Sequence, residues 1–287
     1  MNCRGLLALS TIILMYRSVE GTAEPRGQDC AEVFQAQLRR LLALRKTCNS
    51  AGFNDCCQIK QLMPNATTKV YKMADLLSVA KSPFRSPSTV AARCDMDTDS
   101  GGWIVIQRRV ANGTVNFTRG WCDYQNGFGD LEGEFWYGLS NIHYLTSQEN
   151  VELRIDMIME DDGSHLSWTY QTFRVAGASD NYTLTIGGGQ GPGRDAMAYQ
   201  NQQQFSTYDN DNDNYEYACG YTHQGGWWYN ACYLANLNGP HITPTYPGVN
   251  QRFARLIWND GTYRDVASVE MKIRAKQCTI TTDDPSC

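Results

Sequence analysis

The chain has no apolar run long enough to cross a bilayer. A helical span needs ~20 apolar residues, and the one early run, Leu6 to Met15, is far shorter. A basic excess is lacking too. The formal charge of −5 over 287 residues weighs against a nucleic-acid or anionic-membrane partner, which requires a basic face. There is no paired Cys-x-x-Cys, and the four histidines, His143, His165, His223 and His241, are scattered. That argues against structural zinc, and with no local nucleophile or metalloprotease signature the chain is not expected to be an enzyme. Collagen repeats and long heptad arrays are also missing. The run Gly187 to Gly193 lacks Gly-x-Gly-x-x-Gly spacing, because Pro192 and Arg194 interrupt it, and no Lys-Ser/Thr follows. It reads as a turn rather than a phosphate cradle.

What is present points out of the cell. Arg4 precedes the Leu6–Met15 run, and small Gly21 follows Val19 at a cleavage-like position. This is the arrangement of a signal peptide over residues 1–21, so secretion is expected. Without Cys3 the cysteines form an even set: Cys30, Cys48, Cys56, Cys57, Cys94, Cys122, Cys219, Cys232, Cys278 and Cys287. Cysteine this frequent in an exported protein implies a disulfide framework. Asn65, Asn112, Asn116 and Asn181 each have threonine two residues on, which makes four glycosylation sequons.

Residues 22–55 form an N-terminal segment with a helical stretch from Asp29 to about Lys46. Asp29 with Glu32 is a capping-box variant. Phe34, Leu38, Leu41 and Arg45 step by four, three and four, and Leu42 and Leu44 widen the stripe. Arg45 and Lys46 close the helix where its dipole favours cations. Two heptads are short for a coiled coil, so two readings stand: a small helix docked on the next domain, or an oligomerising one. Cys30 and Cys48 bear on the choice. Across a helix they would lie ~27 Å apart, whereas a disulfide needs Cα atoms within ~7 Å. They must pair elsewhere in the protein or with sister copies, and the latter gives a disulfide-linked homo-oligomer.

From Cys56 the pattern changes to short β-like runs, aromatics and glycine turns. Trp103 to Val110 and Val151 to Met159 mix apolar and polar positions as half-buried strands do, and Thr169 to Val175, Tyr182 to Ile186 and Val269 to Arg274 read as further strands. Helices are expected around Gly138 to Thr146 and Arg194 to Gln202. Long irregular segments hold the glycine, asparagine and tryptophan. The whole reads as a mixed α+β domain with a loop-built binding end.

The densest chemistry lies in Phe205-Ser-Thr-Tyr-Asp-Asn-Asp-Asn-Asp-Asn214, followed by Cys219, Trp227-Trp228, Cys232 and Asn236-Leu-Asn-Gly239. Asp209, Asp211 and Asp213 alternate in a stretch without apolar periodicity. Carboxylates this dense in a loop repel one another unless a cation neutralises them, and hard oxygen ligands suit calcium. The rival reading is a solvated acidic turn. An EF-hand is excluded, because Asn214 replaces the turn glycine and Gly220 stands where the bidentate glutamate belongs. Trp227 and Trp228 can be read as a sugar-stacking platform, but neighbours in extended backbone point to opposite faces, so one of the two is expected in the core.

This stretch resembles the calcium loop and ligand pocket of the fibrinogen C-terminal globular domain family, whose members include ficolins and tachylectin-5-type lectins. The resemblance continues through Cys94-Asp-Met-Asp-Thr-Asp99, Gly101-Gly-Trp-Ile-Val-Ile-Gln-Arg-Arg109, Gly127-Phe-Gly129, Gly133-Glu-Phe-Trp136, Leu153-Arg-Ile-Asp-Met157 and Met271-Lys-Ile-Arg274. It implies a domain over residues 56–276, with a cysteine-containing tail over 277–287. The implied fold is a small N-terminal subdomain, a central antiparallel sheet and a loop-rich subdomain for calcium and ligand. It implies the disulfides Cys56–Cys94 and Cys219–Cys232, each worth ~3 kcal/mol. Cys57, Cys122, Cys278 and Cys287 fall outside the family pattern, and a Cys278–Cys287 bridge across a turn is one option.

Carried over residue by residue, the family's Ca2+ site uses the carboxylates of Asp211 and Asp213 and the backbone carbonyls of Tyr215 and Tyr217. So few carboxylates suit an affinity of ~10⁻⁴–10⁻³ M and a structural role beside the pocket. In lectin-like relatives that pocket takes an acetyl group: aromatic walls receive the methyl, and backbone N–H groups at the second cysteine, here Cys232, bind the carbonyl oxygen. A cis peptide from Ala231 to Cys232 is implied as well. The pocket departs from the family pattern, since His223 and Tyr233 exchange residue types, Phe253-Ala254 supplies the later wall, and His241 replaces a tyrosine. The segment from Trp258 to Met271 is also two residues shorter than usual. A purely structural reading makes Tyr233 and Phe253 packing residues and His223 a surface histidine.

Two functions are therefore expected in competition. One is a secreted, calcium-dependent recognition lectin of innate-immunity type, binding acetylated carbohydrates such as N-acetylglucosamine on microbial or cell surfaces. The other is a protein-binding fibrinogen-like ligand in adhesion, signalling or coagulation.

Overall fold

Strict alternation sets the architecture. In Val151–Met159 every second residue is buried, so one face of the strand packs inward while the other stays half-open. The computed structural model describes residues 55–74, 85–86, 89–241 and 255–278. The leader over 1–21, the helix from Asp29 to Lys46 with Cys30 and Cys48, the Phe253–Ala254 wall and Cys287 lie outside the described residues.

The strands are β1 (Lys69–Ala74), β2 (Arg85–Ser86), β3 (Thr89–Asp95), β4 (Trp103–Arg109), β5 (Phe128–Gly129) and β6 (Phe135–Trp136). There follow β7 (Val151–Met159), β8 (His165–Val175), β9 (Leu184–Gln190), β10 (Ala235–Asn236), β11 (Ile257–Asn259) and β12 (Tyr263–Ala275). The helices are α1 (Cys56–Leu62), α2 (Trp121–Asn126), α3 (Leu139–Gln148) and α4 (Cys219–His223). The main sheet runs β1-β3-β4-β12-β7-β8-β9, with all neighbours antiparallel. Late strand β12 therefore sits in the middle, with Met271 opposite Ile155 on one side and Gln107 on the other. This is the α+β fold that the sequence implies.

On one face, α3 packs against β8. The Thr146 hydroxyl accepts from the Val175 N–H at 3.1 Å, and His143 Nδ1 lies 2.9 Å from the Val175 carbonyl. The other face carries a charge cluster. Lys272 is buried, with Nζ 2.6 Å from Asp95 and 2.8 Å from Asp156. Burial disfavours its charge, but the two carboxylates outweigh that and raise its pKa above the ordinary lysine value.

Among the described residues three bridges staple the fold: Cys56–Cys94, Cys57–Cys278 and Cys219–Cys232. The first and third are the pairs implied by the resemblance. The second overturns the Cys278–Cys287 option. Asp55 caps α1 through the Gln58 N–H at 2.6 Å, and that helix presents Cys57 to the residues just beyond β12. Cys122, in α2, is exposed and unbridged.

Two other expectations need correction. Only Met197–Gln200 is helical in the stretch from Arg194 to Gln202, and as a single 3-10 turn. There Asp195 accepts the Ala198 N–H at 3.0 Å and also the Tyr170 hydroxyl at 2.7 Å, which ends the local pattern in a side-chain contact. The run Gly187 to Gly193 is strand for its first half, because β9 continues to Gln190 in register with β8.

The loop end rests on an aromatic core. Phe205 lies 5.2 Å from Tyr124, 5.3 Å from Trp228 and 5.9 Å from Trp136 between ring centroids. Such tilted and edge-on contacts fix the backbone just where the acidic stretch begins. Trp227 and Trp228 are both fully buried, contrary to the expected division between core and surface. Their segment lies inside the domain: the main chain of Trp227 bridges Ser206, while Trp228 Nε1 donates to the Tyr182 carbonyl at 2.8 Å. Neither tryptophan is a sugar platform.

Candidate functional site

The three alternating carboxylates divide their work. Asp209 turns away from the others. Its Oδ1 accepts the Trp121 N–H at 2.9 Å and the Thr207 hydroxyl at 2.6 Å, and so holds the start of α2. Asp211 accepts the Asp213 N–H at 3.2 Å. Asp213 accepts two N–H groups, from Tyr215 at 2.9 Å and from Cys219 at 2.8 Å. Burial and the neighbouring Asp211 push the Asp213 carboxyl up to about 6, even against those two donors. A pair of hard oxygen donors that repel each other suits a small divalent cation, which would reverse the shift.

Among the described residues, no group of three or more histidine, cysteine or acidic side chains converges on a metal position. A cation held by Asp211 and Asp213 would need main-chain oxygens, and Tyr215 and Tyr217 lie in the adjoining irregular run. This donor set fits the implied Ca2+ site.

The acidic loop is tied directly to the second feature. Asp213 holds the N–H of Cys219, and Cys219 is bridged to Cys232. A second tie runs from the Asn214 N–H to the Asn230 carbonyl at 3.2 Å, and the Asn230 N–H donates to the Cys232 carbonyl at 2.7 Å. The Ala231–Cys232 peptide is cis, as the resemblance implies. Gly220 permits the close approach of α4 to the loop, because a Cβ there would meet the Thr207 carbonyl carbon at 2.6 Å.

His223 and Tyr233 come together although ten residues separate them. Their rings meet edge to face at 4.6 Å, and each is only 8% exposed. His223 is therefore not a surface histidine. Burial raises the pKa of the Tyr233 hydroxyl.

Tyr229 and Tyr263 extend this aromatic group, with centroids 6.3 and 6.1 Å from Tyr233. The Tyr263 hydroxyl donates to the Tyr233 carbonyl at 3.0 Å. The Tyr229 hydroxyl lies 3.2 Å from Asn236 Oδ1. Sequence reasoning missed both tyrosines. The Trp-Trp-Tyr run marked Tyr229 as aromatic, but nothing in the sequence placed Tyr263, at the start of β12, against Tyr233.

The sheet supports this end from below. Gln107 Nε2 donates to the Leu237 carbonyl at 2.6 Å, and Arg109 Nη1 donates to the Gly239 carbonyl at 2.7 Å. Arg109 also pairs with buried Glu134 at 3.0 Å, and His241 joins the pair at 3.2 Å. Burial pushes the Glu134 carboxyl up, but His241, the Val115 N–H and Arg109 together bring it down to about 2. The family tyrosine that His241 replaces has thus given way to a hydrogen-bonding partner of Glu134.

The sequons differ in setting. Asn65, Asn112 and Asn116 are exposed. Asn181 is half-buried, and its amide nitrogen donates to Gln204 at 2.9 Å and Asn212 at 3.2 Å. Two cavities lie elsewhere. One, of about 270 Å³, opens beside Cys57 and Arg274; the other spans the charged sheet face near Lys272.

A central antiparallel sheet, an acidic loop and a disulfide with a cis peptide beside a packed aromatic group define a fibrinogen-like globe. The protein belongs to the family formed by the C-terminal globular domain of fibrinogen beta and gamma chains, whose profile matches residues 56–276. It is 44% identical over 185 residues to fibrinogen-like protein A of Apostichopus parvimensis, a match spanning 63% of each of the two. To human fibrinogen-like protein 1 it is 38% identical over 220 residues, spanning 71% of this protein and 68% of that one. Human tenascin-R matches at 42% identity over 184 residues, only 13% of its length. Among solved structures, the fibrinogen-like globe domain of human ANGPTL6 superposes with a TM-score of 0.67 at 31% identity, spanning 78% of this protein and 95% of that one.

Proposed function

We propose that this protein is a secreted, calcium-dependent recognition lectin that binds acetylated carbohydrates such as N-acetylglucosamine on microbial or cell surfaces, and that it is not an enzyme. One observation carries the reading: the Asp211–Asp213 loop and the His223–Tyr233 pair form one unit, joined through the Cys219 N–H and the Cys219–Cys232 bridge. Calcium on Asp211 and Asp213 would supply charge neutralisation that fixes the loop. The protein's own residues do the recognition. Tyr233 offers an apolar ring edge for the acetyl methyl, and Phe253 and Ala254 are the further wall residues that the family resemblance implies. The Cys232 N–H, which has no acceptor among the described residues, suits the acetyl carbonyl oxygen.

Three cystine bridges among the described residues support extracellular residence. Single sites of this kind are weak, and heads linked through Cys30 and Cys48 as a homo-oligomer would gain avidity. Retention on immobilised N-acetylglucosamine, competed by free acetate but not by glucose, tests the pocket. Retention that acetate leaves unchanged would remove the acetyl assignment.

A second reading has its own support. The His223–Tyr233 pair is almost wholly buried, and similar proteins such as tenascin-R hold this domain within a much longer polypeptide. A protein-binding ligand in adhesion, signalling or coagulation would use the loop surface around the pocket rather than its interior.

A further inference from the structure

The described tyrosines fall into two groups. Most use their hydroxyls: Tyr124 donates to Phe117, Tyr137 to Ala91, Tyr170 to Asp195, Tyr199 to Ala231 and Tyr263 to Tyr233. Tyr215 and Tyr217 do not. They are 49% and 62% exposed, and among the described residues their only ring contact is with each other, at 5.8 Å.

The sequence around them has one sign of charge. No lysine or arginine stands between Arg194 and Arg252, while Asp209, Asp211, Asp213 and Glu216 flank the pair. Asn214, Tyr215, Glu216 and Tyr217 are four consecutive exposed residues outside regular structure. A modifying enzyme must lay such a stretch along its cleft. The other exposed tyrosines do not meet that need. Tyr208 follows buried Phe205, Ser206 and Thr207, Tyr221 is within α4, and Tyr263 is in β12 with its hydroxyl engaged.

We propose that Tyr217, with Tyr215 as a second acceptor, is a site of tyrosine O-sulfation. The co-reactant is an activated sulfate, the mixed sulfate–phosphate anhydride of an adenosine nucleotide. The phenol oxygen attacks sulfur and forms the O–S bond; the S–O bond to the nucleotide phosphate breaks. The nucleotide leaves with that electron pair, and the phenol proton passes to a base of the enzyme. Glu216, directly before Tyr217, and the aspartates upstream match a basic enzyme cleft by charge. The product carries a fixed negative charge next to the loop of Asp211 and Asp213. This inference depends on passage through the secretory route but not on sugar binding.

The test uses the full-length protein secreted from animal cells. Because no trypsin site lies between Arg194 and Arg252, one tryptic peptide carries all the relevant tyrosines of this stretch, and fragmentation by electron transfer assigns the position. The expected result is a mass increase of one SO3 group on Tyr217, lost in Tyr217→Phe and lost when cells are grown in chlorate, which blocks sulfate activation. Tyr208→Phe should leave it in place. Unmodified Tyr215 and Tyr217 in secreted protein would overturn the proposal, as would an increment that persists in chlorate.

Discussion

The N–H of Cys219 donates to Asp213 Oδ2 at 2.8 Å. One carboxylate oxygen thus holds the residue whose sulfur is bonded to Cys232, the neighbour of Tyr233 in the ring pair. Whatever occupies Asp213 is two steps from the candidate ligand. A calcium requirement for binding needs no contact between ion and sugar under this arrangement.

The first prediction concerns that link. Asp213→Ala removes a cation donor and the acceptor for Cys219, so calcium binding should weaken at least tenfold, about 1.4 kcal/mol. Asp209→Ala should leave calcium affinity nearly unchanged, because Asp209 serves α2 instead. Calorimetric calcium titration of both variants would check this. Equal losses would contradict the division of the carboxylates.

Tyr233 separates wall from hydroxyl. Tyr233→Phe keeps the ring edge against His223 and should retain sugar binding within a few-fold. Tyr233→Ala should abolish it and also lower stability, by about 3–5 kcal/mol for a buried aromatic. Binding and urea unfolding measured on both variants would show whether loss of binding follows the ring or the hydroxyl.

The disulfides should differ in what they support. Cys57–Cys278 closes a separation of 221 residues and Cys219–Cys232 one of 13. On loop-entropy grounds they contribute about 5 and about 3 kcal/mol. Replacing Cys57 and Cys278 together by serine should lower the melting temperature more, yet leave sugar binding in the folded fraction. Replacing Cys219 and Cys232 should cost less stability and remove binding. Thermal melts beside a retention assay make the comparison.

Glu134 gives a pH dependence. Its folded pKa of about 2 lies below the ordinary 4.5, so the folded state binds this proton less readily than the unfolded state. Its stabilisation is therefore complete above about 4.5 and is lost as pH falls through about 2, on the order of 3 kcal/mol in all. Glu134→Gln leaves buried Arg109 without its carboxylate and should be strongly destabilising at neutral pH. The gap from wild type should narrow as pH falls across that window, as measured by urea unfolding.

Much of the fold was legible in the sequence. The mixed apolar and polar positions of Val151–Met159 gave β7 its full length, and the helix expected around Gly138 to Thr146 is α3. The two cysteine pairs implied by the resemblance also formed. What escaped depended on distant partners. Cys57 and Cys278 are brought together only once β12 occupies the centre of the sheet. Trp227 and Trp228 violate the two-face rule because their segment is enclosed and not part of an extended sheet strand. Gly187 to Gln190 reads as a turn by composition, but β8 supplies the ladder that holds it extended.

At the site, the roles of the acids were only half readable. Their alternation announced a loop of high negative charge, but Asp209 could be assigned to α2 only when the Trp121 N–H was seen to reach it. The meeting of His223 with Tyr233 depends on α4 and the bridge together, and Tyr263 comes from the start of β12, 30 residues after Tyr233.

The most direct test of the central claim is a glycan array probed with the secreted protein in calcium and again in chelator. The account predicts retention on N-acetylated sugars in calcium, its loss in chelator, and its recovery when calcium is restored. Retention on those sugars that chelator leaves intact would contradict the coupling of the Asp211–Asp213 loop to the pocket. No retention by folded, calcium-loaded protein would contradict the lectin itself and leave the protein-binding reading standing.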